Sequence, residues 1–231
     1  MIRQSRSGWL LLSLMAAILL LAVATTSAVQ DLPPTPTPRS GTSVDDVLAT
    51  SYQVTVAPGS FSQGAADAEI TVVAFMELLC PFCSRVMPEL ERLMRKYDGR
   101  IRLVFQSQVV HGERAKRLHR LAYAAGRQGK FWEVERAIMG NMAQWNTDDA
   151  AHVDGMITRL VPELGLDGDR LRRDMASPEV TSQIEREIAL AKQLGVTGVP
   201  TFFINGHKTV GARELDFYDE IVKRLLSGGK R

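Results

Sequence analysis

Hydrophobic positions recur along this chain with two periods, and the switches between them lay out the elements. Tyr52-Gln53-Val54-Thr55-Val56 alternates apolar and polar residues before Pro58-Gly59, which predicts a short edge strand. Ile70 to Phe75 is an unbroken apolar and β-branched run, the pattern of a strand covered on both faces. From Cys80 to Tyr97 the period becomes helical, with Val86, Leu90, Leu93 and Met94 on one face and Gly99 as the stop. Ile101 to Phe105 is again strand-like, so strand, helix and strand form a βαβ unit with a right-handed crossover.

The middle of the chain is helical. Leu118, Leu121, Ala122 and Ala125 share one face, Phe131, Val134 and Ile138 a second, and Val153, Met156, Ile157 and Leu160 a third. Thr147 or Asp148 is placed to cap the third of these helices, and Pro162 to end it. Ser177-Pro178 is a cap followed by proline at the first helical position, opening a helix that runs to Leu194 and stops at Gly195. Thr201 to Ile204 and Lys208 to Val210 flank Asn205-Gly206, a strong hairpin signal, and a last helix buries Leu215, Tyr218, Val222 and Leu225. Phe131, Trp132 and Trp145 fall at helical spacing and are read as core rather than as a peptide groove.

The first residues are of another kind. Arg3 and Arg6 precede an apolar run from Trp9 to Ala24, and Thr26-Ser27-Ala28 offers the small residues of a cleavage site. Residues 1–28 therefore read as a secretory signal, with an uncleaved membrane anchor as the alternative, since the run is close to the length of a membrane span. Residues 29–51 read as a Pro/Thr-rich linker, and residues 52–231 as one folded domain with a helical insertion at about 113–176.

Composition adds two constraints. The chain is 45% hydrophobic and 23% charged, ordinary for a globular protein. Residues 1–28 carry two of its 28 basic residues and none of its 26 acids, so the remainder is formally neutral and mixed in charge, which argues against nucleic acid as a partner.

Both cysteines lie in one tetrapeptide, Cys80-Pro81-Phe82-Cys83. A disulfide across four residues removes little entropy from the unfolded chain, so stability is a poor reason for it. Zinc needs about four ligands, and His111, His119, His152 and His207 show no ligand spacing, so no metal is expected. These histidines read as surface or capping residues. A cysteine between a buried strand and a helix start faces unpaired N–H groups and the positive helix end, which favours its thiolate. Pro81 fits there because an early helical residue needs no N–H, and Cys83, three residues on, is within disulfide reach.

Thr71-Val72-Val73-Ala74-Phe75 ahead of Cys80-Pro81-Phe82-Cys83, Pro88 in the helix, Gly129-Lys130-Phe131-Trp132, and the late motif from Gly195 through Val199-Pro200-Thr201-Phe202-Phe203-Ile204-Asn205-Gly206 together resemble the DsbA-type branch of the thioredoxin superfamily. The likeness covers about residues 52–226. It implies an α/β thioredoxin-like fold, with a mixed central sheet flanked by helices, and thiol–disulfide exchange with no cofactor beyond the two cysteines. It also implies that Pro200 is a cis-proline against the cysteine pair, that Val199 offers backbone groups to an extended substrate, and that Pro88 kinks the first helix. Many relatives carry a buried acid six residues before the first Cys, where this chain has Ala74. Glu77 is the nearest acid, and it either carries the proton traffic of the second Cys or is an ordinary solvated residue, the usual state of an acid.

The expectation is thus an exported, monomeric oxidoreductase acting on cysteine-containing secreted polypeptides, with a membrane protein as its redox partner. The rivals are an isomerase or reductase of the same fold, or a module that binds peptides or glutathione without turnover.

Overall fold

The computed structural model describes residues 43–57 and 59–228. The signal or anchor at 1–28 and most of the linker lie outside the described residues. A five-stranded mixed sheet runs in the order β1-β3-β2-β4-β5, built from β1 (Ser62–Gln63), β2 (Ile70–Met76), β3 (Ile101–Ser107), β4 (Thr201–Ile204) and β5 (His207–Val210). β2 and β3 pair in parallel with Ile70 opposite Ile101 and Met76 opposite Ser107, while β4 lies antiparallel to β2 with Phe75 opposite Thr201.

Side chains alternate across a strand, and here both sides are covered. Ile70, Val72, Ala74 and Met76 enter the larger core with Phe105, Phe202 and Ile204, whereas Val73, Phe75, Val104 and Phe203 pack with Ala191 and Val196 on the other face. The larger core is closed by α2 (Pro81–Lys96) and α9 (Leu215–Gly228), which pack on each other, and by the helices between β3 and β4. Those are α3 (Gly112–Gly126), α4 (Phe131–Gly140), α5 (Met142–Trp145), α6 (Ala150–Glu163), α7 (Gly168–Met175) and α8 (Pro178–Gln193). Phe131 and Trp145 are buried, and Trp132 packs against the same cluster. Ser84 Oγ donates to the Met139 carbonyl at 3.0 Å, tying the start of α2 to α4.

Several boundaries differ from the sequence reading. Residues 51–57 form no strand: Tyr52 N–H donates once, to Gly206 O at 2.9 Å, and its ring meets Phe203 edge-on at 5.5 Å. The alternation at Val54 and Val56 serves to cover the smaller core, without a ladder. The edge strand on the far side is β1, which has no apolar pattern to betray it and pairs antiparallel with β3. Linker residues 44–48 form α1 (Val44–Leu48), started by a capping box in which Asp46 N–H reaches Ser43 Oγ at 3.1 Å and Ser43 N–H reaches Asp46 Oδ2 at 2.9 Å. Its five residues are too few to show a period, yet Val47 is buried. The cap of α6 is Asp149, one or two residues beyond the expected position, because its carboxylate reaches His152 N–H at 3.0 Å while Thr147 Oγ1 accepts only from Asp149 N. Pro162 does mark the end of α6, in whose last turn it sits, one residue before the helix ends at Glu163.

The β4–β5 turn follows the sequence closely. Asn205 and Gly206 adopt φ of 45° and 88°. The Asn205 side chain accepts from Thr71 N–H at 2.7 Å and donates to Glu69 O at 2.9 Å, so the turn also fixes the start of β2. A Cβ at position 206 would stand 2.5 Å from Tyr52 O and 2.8 Å from Ser51 Oγ in a left-handed conformation. We expect Gly206→Ala to lower unfolding free energy by roughly 1–3 kcal/mol, read as an earlier urea midpoint at unchanged slope.

Candidate active site

β2 delivers the chain to one end of the sheet, and Glu77-Leu78-Leu79 turns it into α2. Cys80 is the N-cap, extended at φ −87° and ψ 118°, with Pro81 opening the helix, so the missing proline N–H falls where no intrahelical partner exists. Cys80 N–H donates to Glu77 O at 3.1 Å and Ser84 N–H to Cys80 O at 3.0 Å, which fixes the cysteine backbone on both sides. Cys80 keeps 4% of its surface exposed and Cys83 none. Phe82 between them is 40% exposed under the Arg85 guanidinium, 5.0 Å from its ring centre.

The loop before β4 closes on this pair. The Val199–Pro200 bond is cis. Cys80 Sγ lies 3.7 Å from the Val199 carbonyl oxygen. Thr201 Oγ1 donates to Gly198 O at 2.7 Å and Gly211 N–H to Pro200 O at 2.8 Å, which hold the loop against the sheet.

The two sulfurs are made unequal by their surroundings. The Cys83 thiol, hydrogen-bonded to the Cys80 sulfur, brings the Cys80 pKa down to about 7; burial and the Glu77 charge oppose this, and the main-chain N–H groups of Cys83 and Phe82 assist it. Burial pushes Cys83 well above its ordinary value, and the neighbouring Cys80 sulfur and Glu77 charge push the same way. The first sulfur is therefore the nucleophile and the second a protonated reserve.

Glu77 corrects the reading of a solvated acid. It is fully buried, with Oε1 accepting from Leu79 N–H at 3.0 Å and Oε2 bonded to His111 Nδ1. The tight turn between β2 and α2 folds its side chain inward, while Ala74 lies within β2 in the larger core. Among the histidines His119 departs from the surface reading, whereas His111 keeps 44% of its side chain exposed at the N-cap of α3. His111 is partnered by Glu77, and His119 is wholly buried: its Nε2 accepts from Leu78 N–H at 3.4 Å and its Nδ1 meets Ser107 Oγ at 2.5 Å. Burial brings the His119 pKa down to about 3, so it stays neutral. Glu187 of α8 is buried behind it, accepting from Ser107 N–H at 2.7 Å and from Tyr123 O–H, with burial raising its pKa to about 7. In the sequence, Glu187 is one acid among several on α8, and only the depth of β3 beneath it marks it out. Among the described residues no group of three or more side chains is placed to hold a metal ion.

The model of the DSBA-like thioredoxin domain matches residues 71–223. The chain belongs to this family. Among solved structures, a thioredoxin-like oxidoreductase from Silicibacter pomeroyi DSS-3 is 33% identical, with a TM-score of 0.63 over 74% of this chain and 94% of that one. BdbD from Bacillus subtilis, at 19% identity and a TM-score of 0.67, shares the fold over 77% of this chain and 97% of its own. Among curated proteins, the Na(+)/H(+) antiporter NhaA 3 of Salinispora tropica is 27% identical over 73% of this chain but only 25% of its own length, so the chain spans about a quarter of that relative. The probable disulfide bond formation protein D of Bacillus anthracis is 25% identical over 63% of this chain and 70% of its own length.

We expect alkylation of the reduced protein to modify Cys80 with a midpoint near pH 7 and to leave Cys83 untouched over the same range. The Cys80 pKa is lower in the fold than the ordinary value of about 8.5. Its ionisation thus stabilises the reduced fold fully above that ordinary value, and the contribution disappears as pH falls through about 7.

Proposed function

We propose that this DSBA-like chain exchanges thiols and disulfides with cysteine-containing polypeptides outside the cytoplasm, with Cys80 as nucleophile and Cys83 as the resolving thiol. The observation that carries this is the split between the two sulfurs, one acid enough to be half ionised near neutrality and the other held protonated beside it. In the reducing direction the Cys80 thiolate attacks a substrate disulfide and forms Cys80–S–S–substrate while the substrate's other sulfur leaves. Cys83, once deprotonated, then attacks Cys80, forms the Cys80–Cys83 disulfide and releases the second substrate thiolate. The two electrons gained by the substrate come from the cysteine pair. In the oxidising direction every step reverses. Pro81 and Phe82 shape the active-site turn, and the Val199 backbone, beside Pro200 and 3.7 Å from Cys80 Sγ, is where an extended substrate strand would be held. Glu77 is the proton-transfer acid for Cys83.

The acidity of Cys80 bears on direction. Ionisation at a pKa of about 7 stabilises the reduced form at pH 7 by roughly 0.4 kcal/mol, about 10 mV on a two-electron couple, whereas a pKa of about 3.5 supplies roughly 100 mV. Exchange set by the substrate and the redox partner fits this better than strong oxidation, and an isomerase or reductase role stays within the same chemistry. A binder without turnover would need neither an acid Cys80 nor a second sulfur hydrogen-bonded to it.

Export is proposed from Arg3, Arg6 and the apolar run from Trp9 to Ala24. The redox partner is proposed to be a membrane protein and the working form a monomer. The antiporter likeness covers about a quarter of that protein's length, and no helix among the described residues is long and apolar enough to cross a membrane.

Cys83→Ala incubated with unfolded, disulfide-containing secreted polypeptides is expected to accumulate mixed disulfides through Cys80, visible as thiol-sensitive adducts on non-reducing gels, and Cys80→Ser to form none. Adducts absent from Cys83→Ala would favour the binder without turnover.

A further inference from the structure

Cys83 is fully buried, so the proton it takes up or gives away at each turnover has no direct route to water. The neighbours on every packed element limit the routes. From the turn after β2 comes Glu77, whose main-chain N–H points to the Cys83 sulfur and whose charge raises both cysteines. From α9 comes Tyr218, buried, with its hydroxyl bonded to Gly211 O at 3.3 Å and Arg213 N–H at 3.2 Å, and from α2 itself only Cys80. From α3, His119 is occupied by Leu78 N–H and Ser107 and leads inward to Tyr123 and Glu187, which are as buried as Cys83. His111, at the N-cap of α3, differs: its Nδ1 is bonded to Glu77 Oε2 while its side chain keeps 44% of its surface in solvent.

We propose that His111 is the positioning residue through which buried Glu77 exchanges the Cys83 proton with water. The proposal rests on the disulfide-exchange reading and adds a residue to it. When substrate attack frees Cys83 as a thiolate, a proton passes from His111 Nδ1–H by way of the Glu77 carboxylate to the sulfur, and the ring recovers one from solvent. When Cys83 must attack the mixed disulfide, the same proton leaves by the reverse path, and no electrons move in either transfer. An imidazole suits this place because its two ring nitrogens can take up a proton on one side and give one away on the other. The hydrogen bond also aims Oε2 outward while Leu79 N–H holds Oε1, so the carboxyl is fixed at both oxygens.

The test is the resolution step. The mixed disulfide of Cys80 with glutathione is formed on the full-length protein, and release of glutathione by Cys83 is timed between pH 5.5 and 9 for the wild type, His111→Ala, His111→Gln, Glu77→Gln and, as a control, the exposed His152→Ala. His111→Ala is expected to release glutathione about 10-fold more slowly near neutrality, short of the roughly 10²–10⁴ of a full general acid-base group because water partly replaces the ring. Added imidazole should restore the rate, His111→Gln should stay slow although it keeps a hydrogen-bond donor, and Glu77→Gln should be slow and deaf to imidazole. A wild-type rate and pH profile in His111→Ala overturns the relay. So does a loss that His111→Gln repairs and imidazole does not, which marks a structural bond. A wild type that never releases glutathione overturns the exchange reading itself and the relay with it.

Discussion

The account depends on the stabilisation of one sulfur anion at the start of α2. Cys80 occupies the N-cap, where the first helical N–H groups have no intrahelical partners, and its sulfur is met there by the Cys83 thiol and by the N–H groups of Cys83 and Phe82. The arrangement costs the fold little, because Pro81 takes the one position where a missing N–H leaves nothing unpaired.

The rest of the fold presents that sulfur and controls its partner. β2, central in the sheet and covered on both faces, brings the Glu77-Leu78-Leu79 turn to one sheet end, and β4, its antiparallel neighbour, starts at the same end. Adjacent strands running opposite ways therefore place two distant segments, residues 77–83 and 198–200, against each other, with the Val199 carbonyl 3.7 Å from Cys80 Sγ. The helices between β3 and β4 supply His119 and Tyr123, which with Ser107 and Glu187 form a buried polar chain fastened to Leu78 N–H, behind the reactive turn. Such a network must be satisfied throughout to be tolerated, and here each member has its partner.

The strands β2 to β5, the Cys80-to-Tyr97 helix, the Ser177 cap and the Asn205-Gly206 turn were legible in the sequence because each is encoded by neighbours in the chain: a period, a cap, a breaker. The tetrapeptide from Cys80 to Cys83, and Val199-Pro200, were legible as motifs. What escaped depends on contacts between distant residues. β1 is two polar residues that become a strand only because β3 lies beside them, and Tyr52 to Val56 fails to be one because only Gly206 offers it a bond. Glu77 read as solvated because an acid is usually exposed, and its burial follows from the packing of α3 over the turn, which put His111 against it. Glu135 is a sharper case, an acid on the Phe131–Ile138 face of α4 that is buried with neither carboxyl oxygen bonded and a pKa raised to about 8 by burial.

A redox equilibrium of the Cys80–Cys83 pair against glutathione tests the central claim most directly, because the population of disulfide reports how strongly the reduced form is favoured. A Cys80 thiol lowered to about pKa 7 gives the reduced form little ionic stabilisation and predicts a potential nearer about −270 mV than about −120 mV. A value near −120 mV would contradict it, since that requires a thiolate far more stabilised than the helix start and the Cys83 thiol provide.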